Sequence, residues 1–243
     1  MNAFAQSLLF AVVAACANVL GGVIVSSGKW AHRSLRYFIA LGSGFMLGTV
    51  FLEMLPESLT LTNSAPVLVL IGYLIVHTFE HTFASHLHFG EETHHEELVD
   101  PIVGISALIG MIVHTFFDGV AIGAGFMISP GVGLLIFLAV LLHKIPDGFT
   151  IASIVITSGH SKRRALASAG ALGGSTLAGV LAVHLLGGSA FLAYALPLSA
   201  GSTLYVAATD LIPEVNREKG VKMAIVVFAG MGLFLVARTV ARM

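Results

Sequence analysis

The chain has 243 residues, of which 56% are hydrophobic and only 10% charged, and its mean hydropathy is +0.94. So few charges cannot clothe a water-exposed surface, which excludes a soluble domain of any size, and a formal net charge of −1 with no basic cluster backed by aromatics excludes a nucleic-acid binder. Cys16 is the single cysteine, so an intramolecular disulfide and thiolate-rich metal sites are excluded as well, and any metal must be held by His and carboxylate.

A bilayer span needs about 20 apolar residues. The chain divides into eight such runs, over about 4–26, 35–58, 65–86, 101–128, 131–158, 164–187, 190–214 and 221–241, joined by short connections. The expectation is an all-α polytopic membrane protein with eight transmembrane helices, forming one transmembrane domain over 1–243. The first run lacks a basic region before it and a small-residue cleavage site after it, and reads as a retained span. Lys29, Arg33 and Arg36 follow the first run, Lys162, Arg163 and Arg164 the fifth, and Arg217, Lys219 and Lys222 the seventh, whereas the opposite side carries only Arg238 and Arg242. The positive-inside rule then places both termini outside a multi-pass protein of the cell (inner or plasma) membrane.

The second run opens with Gly42, Ser43, Gly44 and Gly48, which let helix backbones approach closely, and ends in Glu53-Met54-Leu55-Pro56-Glu57. The seventh ends in Asp210-Leu211-Ile212-Pro213-Glu214, the same pattern on a helix of opposite direction. Glu53 and Asp210 lie deep enough to suggest an access route; Glu57 and Glu214 read equally as solvated helix ends or as guides for cations. In the third run His77, Glu80 and His81 match H-x-x-E-H and share one helical face. They read as polar lining of an exit path, with interhelical hydrogen bonding and a hydrolytic zinc site as the alternatives. The loop that follows carries His86, His88, His94 and His95 among glutamates, with no Lys or Arg; it can bind divalent cations weakly or serve as a solvated linker.

The fourth and fifth runs carry the chemistry. His114-Thr115-Phe116-Phe117-Asp118-Gly119 and His143-Lys144-Ile145-Pro146-Asp147-Gly148 each set an imidazole and a carboxylate four residues apart, one face of a helix and a ready N,O pair. An Asp at the centre of a membrane helix costs roughly 2.5–3.5 kcal/mol on insertion scales, so these residues need a compensating partner. Pairing of Asp118 and Asp147 with Lys144 is the bland explanation, but one cation does not explain two histidines at matching offsets. A metal held by His114, Asp118, His143 and Asp147 explains all four. Pro146 has no N–H for the carbonyl of Leu142, which predicts a bend beside His143. The sixth run, with Gly170, Gly173, Gly174, Ser175, Thr176 and Gly179, reads as a packing surface. Matched motifs in the second and seventh runs, and in the fourth and fifth, predict a three, two and three arrangement with inverted outer triplets and a site near the midplane.

Gly-x-Gly leading to Glu53-Met-Leu-Pro-Glu57, the His-rich loop, the two His-x-x-x-Asp-Gly segments, and Leu204-Tyr205-Val206-Ala207 leading to Asp210-Leu-Ile-Pro-Glu214 together resemble the ZIP family of divalent metal transporters over nearly the whole chain. The resemblance implies an eight-helix fold of three-two-three type, movement of Zn²⁺ or a similar ion towards the cytoplasm, and ligation at His114, Asp118, His143 and Asp147. Members with a two-metal site carry Asn, Asp and Glu where this chain has Thr115, Lys144 and Ser175, and the usual His of the second span is Glu53. One metal is therefore expected, with the Lys144 ammonium as substitute for the second: at roughly 4 Å it repels a divalent ion by about 8 kcal/mol at an effective dielectric of about 20.

An N₂O₂ site suits Zn²⁺ and also Fe²⁺, Mn²⁺, Co²⁺ or Cd²⁺. Two aspartates and Lys144 sum to −1 without metal and +1 with a divalent ion, so proton uptake by the unloaded site, and proton antiport, stay open. The expected partners are the metal ion and the lipid bilayer, with homodimerisation open. Two rivals come from other classes. An intramembrane zinc hydrolase would use His77, Glu80 and His81; a bis-His haem carrier would use His114 and His143 but leave Asp118 and Asp147 without a role.

Overall fold

The computed structural model describes residues 2–27, 32–83, 101–187, 189–216 and 221–241, and these form helices joined by short turns, with no strand among the described residues. In chain order they are α1 (Ala3–Ser27), α2 (His32–Thr49), a π-helical turn (Val50–Met54), α3 (Leu55–Leu61), α4 (Ala65–Phe83), α5 (Pro101–Ile128), α6 (Pro130–Thr157), α7 (Lys162–Leu186), α8 (Ser189–Tyr205), a second π-helical turn (Val206–Leu211), α9 (Ile212–Asn216) and α10 (Val221–Ala241). Among the described residues seven helical stretches are long and apolar enough to cross a bilayer; the apolar part of α4, Ala65–Phe79, is shorter. The chain is an all-helical, multi-pass membrane protein.

The helix ends follow local chemistry. Ser129, in extended conformation, is the single residue between α5 and α6; its Oγ accepts from the Val132 N–H, and Pro130 opens α6 where no N–H is needed. A one-residue link forces α5 and α6 to lie antiparallel as neighbours. At the other end of α6 the chain turns through Gly159 at φ +79, with Gly159 N–H donating to the Ile156 carbonyl and His160 N–H to that of Val155. This is a Schellman cap, and the left-handed residue it requires is the glycine. Ser161 then caps α7 by accepting from the Arg164 N–H.

The two π turns share a cause. Pro56 and Pro213 lack the N–H that the carbonyls of Leu52 and Thr209 would receive in an α-helix, and the ladder shifts register over those residues. Leu55 N–H donates five residues back to Val50, and Ile212 N–H to Ala207. Each wide turn holds an acid, Glu53 in one and Asp210 in the other.

Packing divides the helices into two sets. In one, α1 lies against α6 and α7, and α5 against α6 and α7; in the other, α2 pairs with α10 and α4 with α8. The sets meet where α5 lies against α8 and α4 and where α6 lies against α2 and α10; the apolar stretch of α6 is 72% buried, against 17% for α10, whose Val221 and Phe228 point outward as a lipid-facing side chain does. Glycines set the closest contacts: a Cβ on Gly44 would lie 1.9 Å from the Val227 carbonyl oxygen of α10, and one on Gly230 would lie 2.1 Å from that of Leu41. The expectation that the sixth span is uniformly a packing surface needs correction. Gly173 and Gly179 touch α1 and α5, but nothing lies within 4 Å of a Cβ built on Gly170 or Gly174.

Candidate metal centre

α5 and α6, antiparallel by their one-residue link, bring the two His-x-x-x-Asp segments level. One ligand atom from each of His114, Asp118, His143 and Asp147 falls within 4.8 Å of the others, and all four side chains are buried. The Nε2 atoms of His114 and His143 lie 3.1 and 3.2 Å from Oδ2 of Asp118, and 3.8 and 3.9 Å from Oδ2 of Asp147. No other such grouping of His, Cys, Asp and Glu occurs among the described residues.

The hydrogen bonds show how the cage is aimed. His143 Nδ1 lies 2.9 Å from the Ala139 carbonyl one turn back; a carbonyl only accepts, so Nδ1 donates there and Nε2 is turned into the cage, 3.2 Å from Oδ2 of Asp118. Nε2 thus faces the carboxylate oxygens of Asp118 and Asp147, and a metal ion bound there would lie between nitrogen and oxygen. Both ring nitrogens of His114 and Oδ1 of Asp118 are buried without a hydrogen-bond partner among the described residues. Buried polar atoms are nearly always satisfied; Oδ1 of Asp118 and at most one nitrogen of the His114 ring are acceptors, and their lack of a partner marks the place as a binding site for something positive.

Lys144 is inside the same cluster. It is fully buried, donates to Oδ2 of Asp118 and lies 3.2 Å from Oδ2 of Asp147, so its ammonium bridges the two carboxylates. Thr115 and Ser175 do not reach that ammonium in the hydrogen bonds they make: both hydroxyls donate to the carbonyl of Ile112, at 3.2 and 2.7 Å. Ser175 nevertheless faces α5 one turn from Thr115.

The glycine that closes each motif locks its helix against a neighbour. A Cβ on Gly148 would lie 1.9 Å from the backbone oxygen of Asn18 on α1, and one on Gly119 1.9 Å from that of Thr176 on α7. The carbonyl of Leu142, deprived of a donor by Pro146, faces Gly42 of α2; α6 runs on through the proline as one helix from Pro130 to Thr157.

The route residues lie apart from this cluster. Glu53 is buried in the first π turn, where Oε2 accepts from Arg238 Nε on α10 at 2.9 Å. The sequence reading missed Arg238 as its partner, although a buried acid on a span needs a basic neighbour. Glu57 is partly exposed, Asp210 lies in the second π turn, and His77 packs its ring 5.9 Å from that of Tyr205 beside that turn. The backbone of α4 includes Glu80 and His81 and that of α9 includes Glu214, but their side chains lie outside the described set, as do His86, His88, His94 and His95 entirely.

Comparison with known protein families matches residues 90–238, more than half of the chain, to the ZIP Zinc transporter family. The chain belongs to the ZIP zinc transporter family. Among curated relatives, it is 35% identical over 127 residues to "Zinc transporter SLC39A7" of Homo sapiens, covering 48% of this chain and 27% of that protein. It is 29% identical over 212 residues to "Zinc transporter ZIP13" of Pongo abelii (79% of this chain, 61% of that one) and 23% identical over 217 residues to "Zinc transporter YKE4" of Saccharomyces cerevisiae (76% and 62%). The chain thus spans about a quarter of the first of these relatives and about three fifths of the other two. The ZIP match includes α5, α6 and α7, and with them every residue of the cage. The family is one of transporters, which speaks against a hydrolase at His77 and a bis-His haem carrier.

Proposed function

We propose that this chain moves a divalent transition-metal cation, Zn²⁺ foremost and Fe²⁺, Mn²⁺, Co²⁺ or Cd²⁺ as alternatives, across the cell membrane into the cytoplasm, through a mononuclear site made by His114, Asp118, His143 and Asp147. The observation that carries the reading is the convergence of four buried ligand atoms within 4.8 Å, with His143 Nε2 turned inward. Two imidazole nitrogens and two carboxylate oxygens are a borderline donor set, suited to Zn²⁺ and its neighbours in the first transition series. Family membership and the zinc transporters among its relatives support the same cargo.

The whole chain acts as one transmembrane domain with both termini outside and inverted outer triplets. The paired π turns, one acid in each, support that symmetry. Alternating access carries the set α1, α5, α6 and α7, which holds the cage, past the set α2, α4, α8 and α10. Glu53 and Glu57 lie on the outer approach. His77, Glu80, His81, Asp210 and Glu214 line the cytoplasmic exit, and His86, His88, His94 and His95 bind released cations weakly.

Uptake of several radioactive divalent ions into proteoliposomes tests this directly. Saturable accumulation of Zn²⁺ that other first-row divalent ions inhibit supports the reading. No accumulation of any divalent ion by correctly inserted protein overturns it.

A further inference from the structure

Lys144 is the one member of the cage that a metal cannot use as a ligand, yet it is bound to both carboxylates. Its ammonium donates to Oδ2 of Asp118 and lies 3.2 Å from Oδ2 of Asp147. These are the oxygens that the two imidazole Nε2 atoms face, at 3.1 to 3.9 Å. A cation that comes into the cage therefore meets a positive charge already seated on the carboxylates it needs. We propose that Lys144 is the carrier's own exchangeable counter-cation, which yields the carboxylate oxygens to the arriving ion and takes them back on release, so that the unloaded carrier can return. The proposal rests on the transport reading above and assigns Lys144 a role in every cycle, beyond that of a plug in a second site.

The argument is one of charge balance. With Lys144 charged and both aspartates ionised, the unloaded site carries −1 and the site with a divalent ion +1. Without the lysine the values are −2 and 0. The cost of holding a charge in a low-dielectric interior grows as its square, so the worse of the two states is about four times as costly without Lys144 as with it. A carrier must cross in both states to accumulate cargo, and the costlier crossing limits it. Lys144 divides the charge evenly between the two crossings, at the expense of affinity, because ammonium and metal repel. The side chain suits the exchange: its four-carbon stem has several rotatable bonds, so the ammonium can withdraw from the Oδ2 atoms while Cα stays in place beside His143.

Lys144→Met, of similar length and uncharged, separates the two consequences; Lys144→Gln serves as a second variant should the first fail to fold. In detergent, purified full-length protein is titrated with Zn²⁺ by calorimetry. In proteoliposomes, net uptake of radioactive Zn²⁺ into metal-free vesicles is set against exchange into vesicles preloaded with unlabelled Zn²⁺. The expected result is binding tighter by about tenfold or more, net uptake reduced by a similar factor, and exchange kept within about twofold. Unchanged or weaker binding, or net uptake and exchange falling together, overturns the proposal and leaves Lys144 a structural brace. Should wild-type protein show neither uptake nor exchange, the transport reading fails, and the calorimetric comparison still decides whether Lys144 competes with the metal.

Discussion

Among the described residues, two places bury carboxylate against a basic side chain, and they differ in how many charges meet. In the first π turn one acid, Glu53, meets one guanidinium, that of Arg238, whose side chain is 29% exposed while that of Glu53 is 1% exposed. In the cage two acids share one ammonium and face two imidazoles, and His114 and Asp118 keep polar atoms without hydrogen-bond partners. The first ties the π turn after α2 to α10, and α2 and α10 also touch backbone to backbone at Gly44 and Gly230. The second has acceptors to spare. One acid on one base ties two helices together; a cluster that leaves buried ligand atoms converging on a point is a site for a ligand.

The comparison is broken most strongly at the cage itself. His143→Ala and Asp147→Ala should each lower Zn²⁺ uptake by at least about tenfold while the protein still inserts, because each removes one of four ligands and leaves the apolar span intact. Near-normal uptake in both variants would move the site elsewhere in the bundle.

At the ion pair the same kind of substitution should act on stability, and asymmetrically. Arg238→Gln removes the guanidinium from the buried Glu53 carboxylate and should cost up to about 3 kcal/mol, the lower end of what breaking a buried pair costs, given the part-exposure of the arginine. Glu53→Gln leaves Arg238 able to turn its head group towards the interface and should cost less, about 1 kcal/mol. The double variant should be more stable than Arg238→Gln alone. Thermal stability in detergent, followed by size-exclusion chromatography, checks the order; equal losses in the two single variants would show that Glu53 is not held by Arg238 in the way the geometry implies.

Legibility in the sequence follows the distance over which each feature acts. The spans, the His/Asp pairs and their shared level all derive from runs of apolar residues and from spacings of four, which a helix converts into neighbours without help from the rest of the chain. The π turns were within reach, since Pro56 and Pro213 sit inside apolar runs where a missing N–H must be accommodated, but the sequence pattern suggested only a repeated motif. Arg238 and Glu53 are 185 residues apart, and no local rule joins them. Asymmetry in α7 was also hidden: Gly170 and Gly174 look like packing glycines beside Gly173 and Gly179, and only the position of α1 and α5 separates the two pairs.

That separation gives a test of moderate size. Gly148→Ala puts a methyl 1.9 Å from the Asn18 carbonyl oxygen, so α6 must leave α1, and with it Asp147 must move relative to His114. A loss of about 1–3 kcal/mol is expected, together with weaker Zn²⁺ binding. Gly170→Ala meets nothing within 4 Å and should be neutral or stabilising by up to about 1 kcal/mol through helix propensity. If both alanines behaved alike, the close contact between α1 and α6 would not be what positions the cage.

The smallest effect expected concerns a second ion. Lys144 bridges Asp118 and Asp147 in the way a second cation sharing those carboxylates would, and Ser175 reaches α5 at the carbonyl that also receives the Thr115 hydroxyl. Three helices thus bring the three replaced positions to one neighbourhood. Lys144→Asp combined with Thr115→Asn and Ser175→Glu reverses the sign of the charge there and restores three oxygen donors, while the four ligands of the first site are untouched. Tightly bound Zn²⁺, measured by elemental analysis after dialysis, should rise by about one per chain, since the ammonium no longer repels a second divalent ion. The added ion should be the weaker of the two and lost first on titration with a chelator, because the introduced Glu on α7 must also give up the contact that Ser175 makes with Ile112. An unchanged stoichiometry in folded, inserted protein would mean that Lys144 stands in the first site alone, and that α7 presents Ser175 to the backbone of α5 for packing rather than to a latent metal position.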